Sequence, residues 1–152
     1  MKRWLSVLLA LALTLGLTPA LAAQSGEVPF TRAAFAQFLV DGLELEYDES
    51  MAGIEFPDVP RDHPNYRAIM IMARYGIMNA KGSGLFDTEG GLTRAETATM
   101  LSRMMGLSSS FGQDFPRPAD IDQNSWYTVS VLAALKAGLM STDSAGLFRP
   151  ND

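Results

Sequence analysis

An internal repeat of 62 residues is the feature that most constrains what this chain can fold into. Residues 31–90 align with residues 93–152 without a gap. The copies share polar, glycine and aromatic residues, among them Asp58 and Asp120, Gly76 and Gly138, and Phe86 and Phe148. A short repeated unit cannot bury its own apolar face, so such units stack, and about three are usually needed for stability. The repeat therefore predicts an array of like units.

Each copy contains two helical patterns separated by turn residues. The first pattern covers residues 31–43 and 93–105, and the second covers 64–75 and 125–137. Apolar residues recur in them at three- and four-residue spacing, a glycine follows each second pattern, and Pro64 suits a first helical turn. A glycine-rich turn then returns a Leu-Phe pair to the core. With no competing strand pattern in the sequence, we predict an all-α fold of tandem helix-loop-helix units.

The first 22 residues predict a signal peptide. Lys2 and Arg3 precede an almost uninterrupted apolar run, and Ala20 and Ala22 supply the small residues of a signal-peptidase site. The short apolar run and Pro19 argue against a membrane anchor. We predict cleavage after Ala22, export, and no stable membrane span afterwards. Without cysteine, the chain can carry neither a thioether-linked lipid nor a disulfide.

The composition disfavours nucleic acid binding and catalysis. Beyond residue 22, 10 basic residues face 17 acidic ones, a net charge of -7, and Lys and Arg are scattered among the acids. A nucleic-acid binder concentrates its basic residues. One histidine and no cysteine leave only carboxylates as catalytic groups, and these show no converging spacing. The acids at 114–124 do not follow a calcium loop. We expect no enzyme activity, cofactor or metal.

The sharpest short motif is Thr93-Arg94-Ala95-Glu96. Its threonine and glutamate predict a capping box at a helix start. In the first copy Ala34 replaces the glutamate, so Thr31 is expected to cap alone. An arginine in the first helical turn opposes the helix dipole, yet Arg32 repeats Arg94. An anionic partner and a structural ion pair both remain open as explanations.

In their order, these motifs resemble the S-layer homology family. Members of that family have a Phe-Pro-Asp-Val-like run, a His-Trp-x-Tyr-like helix start, a Gly-Ile turn, a glycine-rich loop ending in Phe-Arg-Pro, and a Thr-Arg-Ala-Glu helix. The matching positions are residues 56–59, His63, Tyr66, Trp126, Gly76-Ile77, Gly138-Leu139, residues 148–151 and residues 93–96. The sequence departs from the pattern at Pro64, where the family has Trp, and at Asp87-Thr88, where it has Arg-Pro. Lys81 is replaced by Asp143 in the second copy.

The resemblance implies a pseudo-threefold helical bundle whose grooves hold cell-wall polysaccharide, often carrying acidic ketal groups. Arg32 and Arg94 would lie beside free helix-start amides and grip a sugar carboxylate. The full set of implied ligand-binding residues is Thr31, Arg32, Lys81, Thr93, Arg94, Glu96, Trp126 and Arg149. Trp126 is either a sugar-stacking platform or a core aromatic of the second helix. Asp58 and Asp120 are expected to be caps or loop ties.

If the chain is divided where the family's repeats begin and end, we predict three segments after the signal peptide. Residues 23–55 form a half-repeat with a Thr-Arg helix and a linker, residues 56–107 form a complete repeat, and residues 108–152 form a repeat lacking its Thr-Arg helix. The predicted function is non-catalytic anchoring on secondary cell-wall polysaccharide, or a peptidoglycan-linked polymer, at the surface of the exporting cell. The unpaired halves favour an alternative, a protein-interaction or self-assembly module that binds other S-layer or surface proteins, or further copies of this chain. We expect the chain to be either a piece of a longer surface protein or a molecule whose unpaired halves complete each other, within one copy or between two copies.

Overall fold

The computed structural model describes residues 30–51 and 53–152, so the predicted signal peptide lies outside the described residues. The described chain is all-α, as predicted, and contains four α-helices. These are α1, Arg32–Leu43; α2, Tyr66–Arg74; α3, Arg94–Met104; and α4, Thr128–Lys136, with a short 3-10 helix at Glu49–Met51. An isolated antiparallel bridge joins Thr31 and Gly91. None of the described helices is long and apolar enough to cross a membrane.

Two compact units divide the described chain near residue 92. The first holds α1 and α2, which pack against each other, and the second holds α3 and α4, which do the same. Each copy of the sequence repeat therefore folds as one compact unit. The three predicted segments, residues 23–55, 56–107 and 108–152, follow the repeat boundaries of the family and stay predictions. The pseudo-threefold bundle also stays a prediction.

A buried phenylalanine from the glycine-rich turn completes the core of each unit. Phe86 packs against the ring of Phe56, with a centroid distance of 5.3 Å. In the second unit Phe148 belongs to the core cluster that also contains Ile121 and Val131. We expected both residues of the Leu-Phe pair to enter the core. In the first unit this is correct for Phe86, which is fully buried, and wrong for Leu85, which is exposed.

The second helix of each unit begins later than the sequence predicted. Pro64 lies in the turn before α2 rather than in its first turn, and Trp126 lies in the turn before α4. A hydrogen bond between residues three apart in the chain closes each turn. Tyr66 N donates to His63 O at 2.9 Å before α2, and Thr128 N donates to Ser125 O at 3.1 Å before α4. At the other end of these helices, the left-handed glycine caps are confirmed, with φ of 65° and 69° at residues 76 and 138.

The first helix of each unit begins with the predicted cap. Thr93 Oγ1 accepts from Glu96 N at 3.2 Å, and Glu96 Oε2 accepts from Thr93 N at 3.0 Å, which closes the capping box. At the start of α1, Thr31 Oγ1 accepts from Ala34 N at 3.2 Å. The side-chain caps of both helices are confirmed.

Candidate functional site

Arg32 joins the start of α1 to the glycine-rich loop of its own unit. Its Nε donates to Phe86 O at 2.7 Å, and its Nη2 donates to Asn79 O at 2.8 Å. The guanidinium carbon lies 4.9 Å from the centre of the Phe86 ring. Only 3% of Arg32 is exposed. These contacts give the dipole-opposed charge a structural role inside the unit.

Arg94 makes the same connection in the second unit. Its Nε donates to Phe148 O and its Nη2 to Ser141 O, both at 2.7 Å. Arg94 is half-buried, and this burial lowers the pKa of its guanidinium, although neighbouring carboxylates oppose the shift. The repeated arginine is therefore a strut between the first helix and the loop in both units.

Loop carbonyl groups also occupy the helix-start amides that were expected to be free. The four hydrogen bonds run from Arg32 N to Gly90 O at 2.8 Å, from Ala33 N to Thr88 O at 3.0 Å, from Arg94 N to Asp152 O at 2.8 Å, and from Ala95 N to Pro150 O at 3.0 Å. An amide that already donates to a carbonyl has no proton left for a ligand. The expectation of free amides beside the two arginines is therefore wrong.

Asp58 and Asp120 tie the glycine-rich loops to the segments that precede the second helices, which confirms their expected role. Asp58 accepts from Phe86 N at 2.9 Å and from Asp87 N at 2.6 Å. Asp120 accepts from the aligned amides at 3.0 and 2.6 Å. Burial alone would raise the pKa of Asp58, but the amide hydrogen bonds outweigh it and lower the pKa.

Lys81 and Arg149 each form an ion pair across the loop of their own unit. Lys81 Nζ lies 2.6 Å from Asp87 Oδ2, and Arg149 Nε lies 2.6 Å from Asp143 Oδ2. Hydrogen bonds to the carboxylate of Asp143, from the Leu147 amide and then from Arg149, lower its pKa. Both cations are partly exposed, so they remain reachable by a ligand that competes with the carboxylate.

Trp126 is exposed, which excludes its interpretation as a core aromatic. It is 66% exposed, and its ring meets Tyr127 edge-on with the centroids 5.3 Å apart. Val129, one helical turn further on, is 45% exposed. Trp126 and Val129 define the Trp126 surface. In the first unit Pro64 and Arg67 occupy the aligned positions, so the apolar surface belongs to the second unit alone.

The eight implied ligand residues are divided between the units. Residues 31, 32 and 81 lie in the first, and residues 93, 94, 96, 126 and 149 lie in the second. In the second unit Thr93 and Glu96 cap α3, and the guanidinium of Arg94 reaches the loop that also carries Arg149. The ring contact described for Trp126 is with Tyr127 rather than with these residues.

Comparison with known proteins establishes the family. The S-layer homology domain family matches residues 55–98 and 119–152, just over half of the chain. The chain belongs to the S-layer homology family. The resemblance carried by the motifs is thereby confirmed.

Curated relatives extend this S-layer homology match. An S-layer protein of Bacillus thuringiensis subsp. finitimus and the S-layer protein sap of Bacillus anthracis are each 37% identical over 101 residues, 66% of this chain. An endoglucanase of Bacillus sp. (strain KSM-635) is 27% identical over 97 residues, 64% of this chain and 10% of the relative. This chain spans only 12% of the length of the two S-layer proteins. No solved structure matches it significantly.

The S-layer homology match and the compact units divide the chain at different points. The first match, residues 55–98, takes in all of α2 and the beginning of α3. The compact units instead begin with the Thr-Arg helix and end with the glycine-rich loop. The repeat boundaries of the family therefore lie about half a repeat away from the boundaries of the compact units.

Sequence reasoning missed Asp143 as a member of the loop ion pair. It accepts hydrogen bonds from Ala145 N at 2.8 Å and Leu147 N at 2.9 Å, besides its contact with Arg149. The signal was present in the repeat alignment, where Lys81 faces Asp143 and Asp87 faces Arg149. Two aligned positions that exchange charge together indicate a direct contact.

Proposed function

We propose that this protein is a non-catalytic cell-surface anchoring module that binds an anionic or pyruvylated secondary cell-wall polysaccharide, or another peptidoglycan-linked polymer. Membership of the S-layer homology family supports this function, as do relatives named S-layer protein and cell surface protein. The observation that carries the proposal is the exposed ring of Trp126, at the position where the family has an aromatic helix start.

The proposed ligand residues have two kinds of role. Trp126 offers an exposed ring face on which a sugar can stack. Lys81 and Arg149 add charge-assisted hydrogen bonds to an acidic substituent. The remaining residues keep the helix starts and loops in position and contribute mainly through this geometry: Thr31, Arg32, Thr93, Arg94 and Glu96.

The enzymatic relative does not alter this proposal. The endoglucanase is matched over 10% of its length, a share too small to carry the activity in its name. The carboxylates of Asp58 and Asp120 accept hydrogen bonds from backbone amides within their own units, which gives them a structural role. We therefore propose a binding role without catalysis.

A protein-interaction or self-assembly role is the second candidate, and the Trp126 surface favours it. Tryptophan is enriched where one protein buries a few anchor residues against another. The partners would be other S-layer or surface proteins, or further copies of this chain.

One pair of variants tests the proposal and separates the candidates. Trp126→Ala removes the proposed platform, and Tyr75→Ala, an aromatic that is 56% exposed in the first unit, is the control. We expect Trp126→Ala to weaken co-sedimentation with cell-wall sacculi about tenfold and Tyr75→Ala to leave it unchanged. Unchanged pelleting of Trp126→Ala would remove its assigned role. If that variant also lost self-association measured by analytical ultracentrifugation, the interaction function would be favoured.

A further inference from the structure

A second site in the unit formed by residues 93–152 is lined by none of the ligand residues assigned above. An open cavity of about 500 Å³ lies against the segment 115–119. Its lining is largely apolar and includes Phe115, Pro116, Pro118, Leu135 and Met140. The polar residues of the lining are Arg117, Ser141 and Thr142. A mainly apolar cavity of this size with a few polar groups is typical of a small-molecule site.

Arg117 provides the positive charge of this cavity. One of its amino groups, Nη1, donates to Ile121 O, which anchors the guanidinium. A guanidinium has five N–H donors, so most of them remain for another acceptor. Lys81, Lys136 and Arg149 pair with carboxylates, but within the described residues no carboxylate forms an ion pair with Arg117. An exposed arginine without such a partner in an acidic protein favours an external anion.

Arg94 holds another part of the cavity lining in place. Its Nη2 donates to Ser141 O at 2.7 Å, and Ser141 and Thr142 both line the cavity. The next residue, Asp143, is fixed by the loop hydrogen bonds and by Arg149. The cavity is therefore a built feature of the loop, and Arg94 is a positioning residue for it.

We propose that this cavity binds the terminal carboxylate of a short peptide whose last side chain is small and apolar. A guanidinium pairs with a carboxylate through two parallel hydrogen bonds, which Arg117 can supply. The hydroxyl groups of Ser141 and Thr142 suit the peptide groups that precede the carboxylate. The proline, leucine and methionine walls suit a methyl-sized side chain better than a sugar ring covered with hydroxyl groups. This site includes neither residue of the Trp126 surface, and it goes beyond glycan anchoring.

The first unit supplies an internal comparison. Glu55 occupies the position aligned with Arg117, and a cavity of about 600 Å³ beside it is lined by Glu55, Arg61 and Tyr66 among others. The carboxylate of Glu55 repels a second carboxylate. Arg61 in the same lining offsets the charge of Glu55, so this cavity has no excess positive charge for a carboxylate, and we expect the peptide to bind at residues 115–119 instead.

A matched pair of peptides tests the proposal on the whole protein. N-acetyl-alanyl-alanine carries the carboxylate, and its C-terminal amide has nearly the same shape without the charge. In ¹⁵N-labelled protein, the acid is expected to shift the amides of residues 117, 119 and 140–142 and to bind at least about tenfold more tightly than the amide. Arg117→Gln is expected to abolish this binding, while Arg61→Gln, the control in the other cavity, leaves it unchanged.

Several results would overturn the peptide site. These are equal binding of the acid and the amide, full binding by Arg117→Gln, or shifts centred on residues 53–61. N-acetylmuramic acid, a sugar that carries a carboxylate, is the competing ligand, and tighter binding of this sugar than of the peptide would also contradict the proposal. Sacculus pelleting by Arg117→Gln is a separate readout, so failure of the peptide site and failure of glycan anchoring are distinguishable.

Discussion

Lys81 Nζ lies 2.6 Å from Asp87 Oδ2, and the second unit contains the same ion pair with its charges exchanged. There Asp143 replaces the lysine and Arg149 replaces the aspartate, and their Oδ2 and Nε atoms are also 2.6 Å apart. The pair crosses the glycine-rich loop in both units. Departures from the family's pattern at residues 87 and 143 thus retain one attractive contact in each unit.

A charge-exchange experiment tests this relationship. Lys81→Asp places two carboxylates across the loop, and we expect it to lower the free energy of unfolding by about 1 kcal/mol. The double variant Lys81→Asp/Asp87→Arg recreates the arrangement of the second unit and should recover most of that loss. Urea denaturation of Lys81→Asp, Asp87→Arg and the double variant gives the coupling energy between the two side chains. Additive losses would mean that the two side chains do not interact in solution.

The two arginine struts should differ in their effect on stability. Arg32→Met leaves Phe86 O and Asn79 O without their donors in a buried place, and we expect a loss of about 3 kcal/mol. Arg94→Met should cost less, about 1–2 kcal/mol, because water reaches the half-buried site. The exposed Arg74→Met is the control and should change stability by less than about 0.5 kcal/mol. An equal loss for all three would contradict the structural role of Arg32.

Asp58 should make stability depend on pH in the acid range. Its pKa is lowered in the folded protein, so its contribution is present above the unfolded pKa of about 3.9 and is lost as the pH falls through the lower folded value. Asp58→Asn should reduce stability at pH 7 and flatten the decline below about pH 4. Urea denaturation from pH 2 to 7 measures both effects, with the exposed Asp62→Asn as control. An unchanged acid decline in Asp58→Asn would show that other groups cause it.

Local features of the fold could be predicted from the sequence because each depends on a few neighbouring residues. The apolar spacing within each helix, the cap at Thr93 and the left-handed φ of Gly138 are set within one or two helical turns. The expectation that Asp58 and Asp120 are caps or loop ties, stated with the family resemblance, is also confirmed.

The acceptors of the repeated arginine could not be predicted in this way. Arg94 donates to carbonyl groups of residues 141 and 148, and backbone carbonyls carry no mark in a sequence. The exposure of Trp126 depends on which segments cover the start of α4, and periodicity alone does not determine that. Arg117 belongs to no motif, and only the cavity around it draws attention to its side chain.

Anchoring on a wall polymer is the central claim, and co-sedimentation with purified sacculi before and after chemical stripping of their secondary polysaccharide tests it most directly. We expect the protein to pellet with intact sacculi and to remain in the supernatant once the polysaccharide is removed. Equal pelleting with stripped sacculi, or no pelleting with either, would contradict polysaccharide anchoring and favour the protein-interaction function.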